Sequence, residues 1–325
     1  MKKIYSKDWV GRTVYDDILA VENSLKALGH DVAKYNADLD LFSELTKDKS
    51  NIDLVFNLCD DGFFANAQLE PHLPALLDVL GIPYTGSNYL SLALCLDKAK
   101  SKELFIANKI PTPEFQIFNN ENDKLKKNLN FPLIVKPIHE DASIGINDES
   151  VVNNEEELKK RVKFVIEEYK QPALVEQFIG GREFYVGIFG DEQKEVLPVS
   201  EVIFRNLPEK KPRIFNYSAK WDEESIDYKE TKKSCPANID KKLEKKLINL
   251  ALQASEVLLC RDYVRVDFRV DKKENPFVIE CNPNPDLSPE DWLALMAKSK
   301  GYSYADLINQ IIKSALQRNN KKEDK

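Results

Sequence analysis

No stretch of about 18 consecutive apolar residues occurs in this 325-residue chain, so the usual signature of a membrane-spanning helix is missing. The opening Met1-Lys2-Lys3-Ile4-Tyr5-Ser6 runs into charge rather than an apolar core, and no classical secretory signal is expected. Cysteine is scarce and scattered. The five residues Cys59, Cys95, Cys235, Cys260 and Cys281 are odd in number and lack C-x-x-C spacing, which disfavours a disulfide framework or a structural zinc and points to reduced thiols in a cytoplasm. Excess positive charge is also missing: 47 basic side chains stand against 54 acidic ones, a net charge of −7, with lysines interleaved among Glu and Asp. Nucleic-acid binding, which needs clustered Lys and Arg, is therefore not expected. There is no internal repeat.

What is present is ordinary for a soluble globular chain, with 42% hydrophobic and 31% charged residues. The length predicts two domains, or three small ones in contact. In the first stretch Asp16-Asp17 can cap a helix through Ile18, Val21, Leu25 and Leu28 that stops at Gly29. Asp53 to Leu58 is a short apolar run, as in a strand buried on both faces, and Leu69 to Leu80 is helical up to Gly81. This is an α/β pattern with a small open sheet. After Pro111-Thr112-Pro113, the spacing predicts a strand at Phe131 to Pro137 and an amphipathic helix over Glu155 to Tyr169. Further strands are expected at Ala173 to Phe178, Glu183 to Phe189 and Val196 to Val202. The polar stretch Asn206 to Cys235 is too long for a plain connection and is a candidate substrate loop. Helices are expected over Ile239 to Leu259, Glu290 to Ala297 and Tyr304 to Leu316, followed by a frayed tail from Asn319.

The richest segment is Tyr263 to Pro285. Val264, Val266, Phe268 and Val270 alternate with Arg265, Asp267 and Arg269. In the next run Phe277, Ile279 and Cys281 alternate with Glu280 and Asn282. With Asp271 to Asn275 as the turn, a hairpin would set Arg265, Asp267, Glu280 and Asn282 on one face. Two carboxylates and an amide oxygen suit Mg²⁺, a hard cation that shares its coordination with phosphates. An exposed ribbon with ordinary surface charge shows the same alternation. Lys136 ends an apolar strand before His139-Glu140-Asp141-Ala142-Ser143-Ile144-Gly145-Ile146, a loop able to cradle phosphate or to be a plain hairpin. Leu174 to Ile179 followed by Glu183 offers two acids to an adenine amino group and ribose hydroxyls, and equally suits a surface strand.

In this order the pieces resemble the ATP-grasp superfamily, and within it the D-alanine–D-alanine ligase-like branch, from about Asp53 to Leu316. The carriers are Ile82-Pro83-Tyr84-Thr85-Gly86-Ser87, Leu96-Asp97-Lys98-Ala99-Lys100-Ser101-Lys102, Ile134-Val135-Lys136-Pro137, the loop from Ala219-Lys220-Trp221 to Cys235-Pro236-Ala237, Arg265-Val266-Asp267, and Glu280-Cys281-Asn282-Pro283. The resemblance implies an α/β (α+β) ATP-grasp fold. An N-terminal open-sheet domain (1–95) would precede a central subdomain (96–182) and a C-terminal subdomain with the metal site (183–318), the two subdomains sandwiching ATP, with a tail at 319–325. It implies a cytoplasmic ATP-dependent carboxylate–amine ligase that phosphorylates a small carboxylic acid and passes the acyl group to an amine. By position, Lys98 and Lys136 contact phosphates, and Ser143 sits in the covering loop. Glu176, Phe178, Ile179 and Glu183 meet the adenosine, and Lys220 meets the γ-phosphate. Asp267, Glu280 and Asn282 hold two Mg²⁺, with Mn²⁺ as an alternative, while Arg265 stabilises the developing charge. The partners are small-molecule carboxylate and amine substrates, and the resemblance suggests a homodimer.

Departures fall on the substrate side. Tyr5 to Val14 lacks the glycine-rich opening and glutamate of the dipeptide ligases. A loop serine of the family becomes Ala142, its loop tyrosine becomes Trp221, and a glycine of the oxyanion pocket becomes Asp286, ahead of Ser288. Trp221 walls the pocket or anchors its loop, and His139 faces a phosphate or is a plain loop residue. His30 and His72 serve local packing or solvation. Cys281 is expected in the core, and Asp60-Asp61-Gly62 and Glu70 read a substrate amine or cap a helix. The alternatives are a D-alanine–D-alanine ligase, which Ala142, Trp221 and the missing opening count against, and a non-catalytic ATP-binding regulatory module.

Overall fold

The computed structural model describes residues 10–323. Its helices are α1 (Val10–Ala27), α2 (Leu41–Asp48), α3 (His72–Leu80), α4 (Tyr89–Leu96), α5 (Lys98–Ala107), α6 (Glu155–Tyr169), α7 (Tyr217–Trp221), α8 (Ile226–Glu230), α9 (Lys241–Val257), α10 (Trp292–Lys300) and α11 (Tyr304–Glu323). The strands are β1 (Phe115–Phe118), β2 (Leu133–Pro137), β3 (Val151–Val152), β4 (Ala173–Gln177), β5 (Gly181–Phe189), β6 (Glu195–Val196), β7 (Ser200–Phe204), β8 (Thr231–Ser234), β9 (Tyr263–Asp271) and β10 (Pro276–Asn282). They form two antiparallel sheets, one ordered β1-β4-β2-β3 and the other β10-β9-β5-β7-β8, with β6 paired to β5.

The four-stranded sheet is covered by α6. Asn154 caps that helix by accepting from Glu157 N, three glutamates occupy its first turn, and Lys170 ends it in the left-handed region. Leu158, Val162 and Val165 recur at helical spacing and are buried against Leu133, Val135 and Val175, each contributing about 1.5–3 kcal/mol of burial. The six-stranded sheet is covered on both faces. Leu243, Leu247, Ala251 and Ala254 of α9 pack on Val264, Val266, Phe268 and Val270, while Tyr263, Trp292, Leu293, Leu307 and Ile311 fill the opposite side. Coverage on both faces has a consequence for β9: its charged side chains are buried along with its apolar ones.

Several expectations are corrected. α1 is already helical at Val10, the first described residue, so Asp16 and Asp17 lie inside it rather than capping it; in the sequence Val10, Val14 and Ile18 continue the helical spacing. Asp53 to Leu58 forms one parallel bridge, Val55 to Tyr84, instead of a strand buried on both faces; among the described residues it has this single neighbour, so Leu54, Val55 and Phe56 are only half-buried. α3 starts at His72 after Pro71. The stretch from Asn206 to Cys235 is ordered as α7, α8 and β8. α11 continues to Glu323, so the tail expected from Asn319 is mostly helical. Asp324 and Lys325 lie outside the described residues, as do the opening Met1 to Ser6 and the first part of Tyr5 to Val14. No described helix is long and apolar enough to cross a membrane.

The β9–β10 hairpin also departs from simple alternation. Glu280 pairs with Asp267 and Asn282 with Arg265, but the register shifts between Val278 and Glu280. Because of this bulge, Val278 and Cys281 enter the core whereas Ile279 turns to the opposite side from Cys281. The expected parity of Phe277, Ile279 and Cys281 is thus broken after Ile279, and of the three Cys281 alone enters the core.

Candidate active site

A cleft of about 710 Å³ lies between the two sheets. Its walls include Lys136 from β2, Glu176 from β4, Phe178 and Ile179 from the crossover, Glu183 and Tyr185 from β5, Lys220 from α7, Asp267 from β9, Ile279 and Glu280 from β10, and Ser143. A smaller space of about 250 Å³ adjoins it, lined by Lys98, Lys136, Asp141, Ser143 and Glu280. Ser143 lies in a sharply turned loop. Ala142 and Ser143 have φ of 52° and 62°, and Gly145 has φ of 75°; a Cβ at Gly145 would meet Pro137 Cγ at 2.7 Å. Ser143 Oγ donates to Phe215 O at 2.9 Å, which ties this loop to the segment leading into α7.

Positive side chains gather at the Glu280 end. Asp97 caps α5 by accepting from Ala99 N and Lys100 N, which starts the helix so that Lys98 reaches Glu280 Oε2 at 3.2 Å. Burial would raise the Glu280 pKa, yet Lys98, Lys136, Lys220 and Arg265 together bring it down to about 2. Lys98 stays charged: burial opposes its charge, but Glu280 and Asp141 raise its pKa. Glu176, 1% exposed, is held between two ammonium groups, Lys136 Nζ at 2.9 Å and Lys102 Nζ at 3.1 Å.

On β9 the charges are paired as buried charges must be. Arg265 donates to both oxygens of Asp267 at 2.8 and 3.0 Å, lies over the Tyr185 ring at 5.0 Å and has Asp291 at 3.7 Å. Arg269 donates to Glu183 Oε2 at 2.8 Å and to the carbonyls of Ile179, Gly181 and Arg213. It therefore ties the crossover between the sheets to the loop before α7, and the Tyr185 hydroxyl holds the other Glu183 oxygen at 2.7 Å. The Asn282 side-chain NH₂ faces Arg265 O at 3.5 Å, which leaves its amide oxygen as an acceptor.

A third group of residues lies beyond the nucleotide-sized cleft and is acidic. Asp60 is pushed up to about 8 by desolvation, then by Asp61 and Asp286. Glu70 is raised by desolvation, with Asp60 and Asp141 adding to it, even though Asn284 Nδ2 donates to it at 3.1 Å. Asp286 accepts from Ser288 N at 2.7 Å and is raised by burial and by Asp291.

The structure brings Lys136, Ser143, Glu176, Phe178, Ile179, Glu183, Lys220, Asp267 and Glu280 onto the main cleft, with Lys98 in the adjoining space. Arg265 and Asn282 stand beside Asp267 and Glu280 in the hairpin register. Asp286 and Ser288 do not line the cleft. Trp221 is not a cleft wall either: its indole faces Ala142 O at 3.4 Å and staples α7 to the Ser143 loop. His139 pairs with Asp97 at 3.5 Å. Lys102, Arg269 and Ile279 stood in the recognised motifs without an expected site role, and Tyr185 carried no expectation. Lys102 had one available signal, its position four residues after Lys98 on the same helix face.

Comparisons with known proteins agree with this architecture. Residues 104–313 match the family model described as D-ala D-ala ligase C-terminus. A D-alanine–D-alanine ligase of Aquifex aeolicus is 33% identical over 90% of this chain and 92% of its own length. An uncharacterized protein of Sinorhizobium fredii is 34% identical over 95% of this chain and 89% of its own. The crystal structure of a D-alanine–D-alanine ligase from Bacillus anthracis complexed with ATP superposes with a TM-score of 0.72 at 23% identity, covering 95% of this chain and 94% of that one. With two antiparallel sheets facing one cleft, and sequence kinship running almost end to end, this chain belongs to the D-alanine–D-alanine ligase family of the ATP-grasp fold.

Proposed function

We propose that the protein is an ADP-forming carboxylate–amine ligase in which the two-sheet cleft holds ATP and the acidic end receives the amine. The observation that carries this reading is the gathering of Lys98, Lys136, Lys220 and Arg265 around Glu280, whose pKa they hold near 2 against burial. Such a concentration of buried cations around one carboxylate suits a polyphosphate, because phosphoryl transfer depends mainly on positioned positive charge.

Phe178, Ile179, Ile279 and Ile134 supply apolar walls for a flat base. Glu183, oriented by Arg269 and Tyr185, suits ribose hydroxyls. Lys98, Lys136 and Lys220 suit the phosphates, with Ser143 in the loop beside them. Asp267, Glu280 and Asn282 fit Mg²⁺. Burial and the neighbouring Glu280 hold Asp267 up at about 6 in spite of its two bonds from Arg265, so the desolvation of Asp267 is only partly offset, and a divalent cation would complete it. When bound, Mg²⁺ supplies Lewis-acid neutralisation of the phosphoryl group in flight.

In the reaction so assigned, a substrate carboxylate oxygen bonds to the γ-phosphorus as the bond to ADP breaks. The neutral amine nitrogen then attacks the acyl carbon, the bond from that carbon to the phosphate oxygen breaks, and inorganic phosphate leaves as the nitrogen gives up one proton. The protein needs no side-chain nucleophile. Its residues bind, orient and stabilise, with Arg265 beside the metal set and Asp60, Glu70 and Asp286 at the amine end. The relatives' substrate, D-alanine, is the first acid to test, followed by other amino acids in both stereochemical forms. Purified protein with Mg²⁺ and ATP should release ADP only with an effective acid present, and hydroxylamine should trap the activated acyl group as a hydroxamate. ATP binding without ADP release from any acid would favour a regulatory module instead.

A further inference from the structure

Lys102 is 0% exposed, the most enclosed charged group in the molecule's central helix α5. It stands one turn after Lys98, so the two ammonium groups project from the same face of α5. Lys98 engages Glu280 of the six-stranded sheet at 3.2 Å, and Lys102 engages Glu176 of the four-stranded sheet at 3.1 Å. Lys102 also donates to Thr112 Oγ1 at 2.8 Å, and that hydroxyl donates to Val278 O at 2.8 Å. Val278 is the last residue before the bulge that turns Ile279 and Glu280 into the cleft.

We propose that Lys102 is a positioning residue that holds Glu176 and the β10 bulge in their nucleotide-binding arrangement, and that only its ammonium form supports full ATP affinity. This rests on the proposal that the cleft holds ATP. Glu176 Oε1 is buried and makes no hydrogen bond within the described residues, so the ion pair with Lys102 is what compensates it. If Lys102 loses its proton, Glu176 keeps Lys136 as its one ammonium partner. Lys136 is then drawn fully to Glu176 and away from the phosphates, and Thr112 loses the charged donor that fixes it next to the bulge.

The environment places this event within reach of experiment. Burial brings the Lys102 ammonium down to about 8, with Lys136 adding to the fall and Glu176 and Glu280 opposing it. Lys102 touches Glu176 on β4 and the Thr112 hydroxyl, while Lys136 on β2 and Glu280 on β10 act on it from farther off. Bound polyphosphate would favour the charged form, so binding above this pKa takes up a proton.

ATP affinity and proton uptake are to be measured by calorimetry in buffers of different ionisation enthalpy, from about pH 7 to about pH 9. The wild type should lose affinity as pH rises and take up about one proton at the alkaline end. Lys102→Met should bind ATP roughly tenfold or more weakly near pH 7, with no alkaline loss and no such uptake. A residue with a merely structural role would lower thermal stability without changing the proton count. Thr112→Val keeps the lysine but removes an acceptor from its ammonium, so the alkaline loss should begin at lower pH; this variant serves if Lys102→Met does not fold. An unchanged proton count in Lys102→Met, or an unchanged alkaline profile in Thr112→Val, would overturn the assignment of Lys102 while leaving the ATP site intact. A wild type that binds no ATP at any pH would overturn both.

Discussion

Ile279 and Glu280 are consecutive in the chain, yet both line one cleft. The β-bulge after Val278 makes this possible by putting an apolar wall and an ionised carboxylate side by side on the same face. The apolar residue is then available to a base and the carboxylate to a cation.

Replacing Ile279 by Ala should therefore weaken ATP without disabling the chemistry. Loss of the buried methylene and methyl contacts should raise KM for ATP roughly tenfold and leave kcat within about twofold. Steady-state kinetics with ATP varied at saturating acid and amine give the answer; a fall in kcat with unchanged KM would remove Ile279 from the nucleotide wall.

Glu280→Gln should reduce turnover by about a thousandfold or more, since it removes a metal-binding carboxylate while keeping its volume. Stability should also fall modestly, because Lys98 is buried and loses its carboxylate partner while the amide keeps the volume. ADP release and a thermal melt on the same preparation check both halves. Unchanged turnover would refute the metal assignment.

Asp60 should trade stability for function. Desolvation and its acidic neighbours Asp61 and Asp286 hold its carboxyl above the ordinary 3.8, and its partial contact with solvent weakens the effect, so the unfolded chain releases this proton first and stability falls slightly as pH rises above about 4. Asp60→Asn abolishes that loss. Its melting temperature should match the wild type near pH 4 and exceed it by about a degree near pH 8, while KM for the amine increases. Melts across pH with amine-dependent ADP release test this, and a stability gain independent of pH would contradict the sign.

Asp262 is the clearest stability target away from the cleft. Fully buried, it accepts from Gly86 N and Ser314 Oγ, each at 2.8 Å, and pairs with Arg318. Arg318 in turn donates to Tyr84 O at 2.6 Å. One carboxylate thus joins the Gly86 turn, the start of β9 and the end of α11. Asp262→Asn keeps the shape but leaves Arg318 without its counter-charge, and should cost about 3 kcal/mol, seen as a fall of roughly 5–10 °C in Tm.

Much of this protein was legible before folding because local rules suffice for it. The 3.6-residue spacing of Leu158, Val162 and Val165 and the Asn154 cap specify α6, and the alternation from Tyr263 to Val270 specifies β9. The ordered motifs around Lys98, Lys136, Glu176, Asp267 and Glu280 pointed to one family, and the family comparisons agree. Local pattern was misleading where the outcome depended on a distant neighbour. The run at Asp53 reads as a buried strand but finds a single parallel bridge to Tyr84, and the stretch after Asn206 reads as irregular until Thr231 to Ser234 pairs with β7.

What the amino-acid sequence determined by itself is therefore the strongly periodic elements, such as α6, α9 and β9, and the kinds of side chain each one carries, since periodicity and capping are properties of neighbouring residues. Tertiary structure alone decided which charges meet. A period of two puts Ile279 opposite Glu280, and only the pairing register with β9 introduces the bulge that unites them. Helical spacing puts Lys98 and Lys102 on one face, and only the meeting of two sheets at α5 gives one of them Glu280 and the other Glu176. Electrostatic energy depends on distance through space and on burial, and neither quantity exists until the chain has folded.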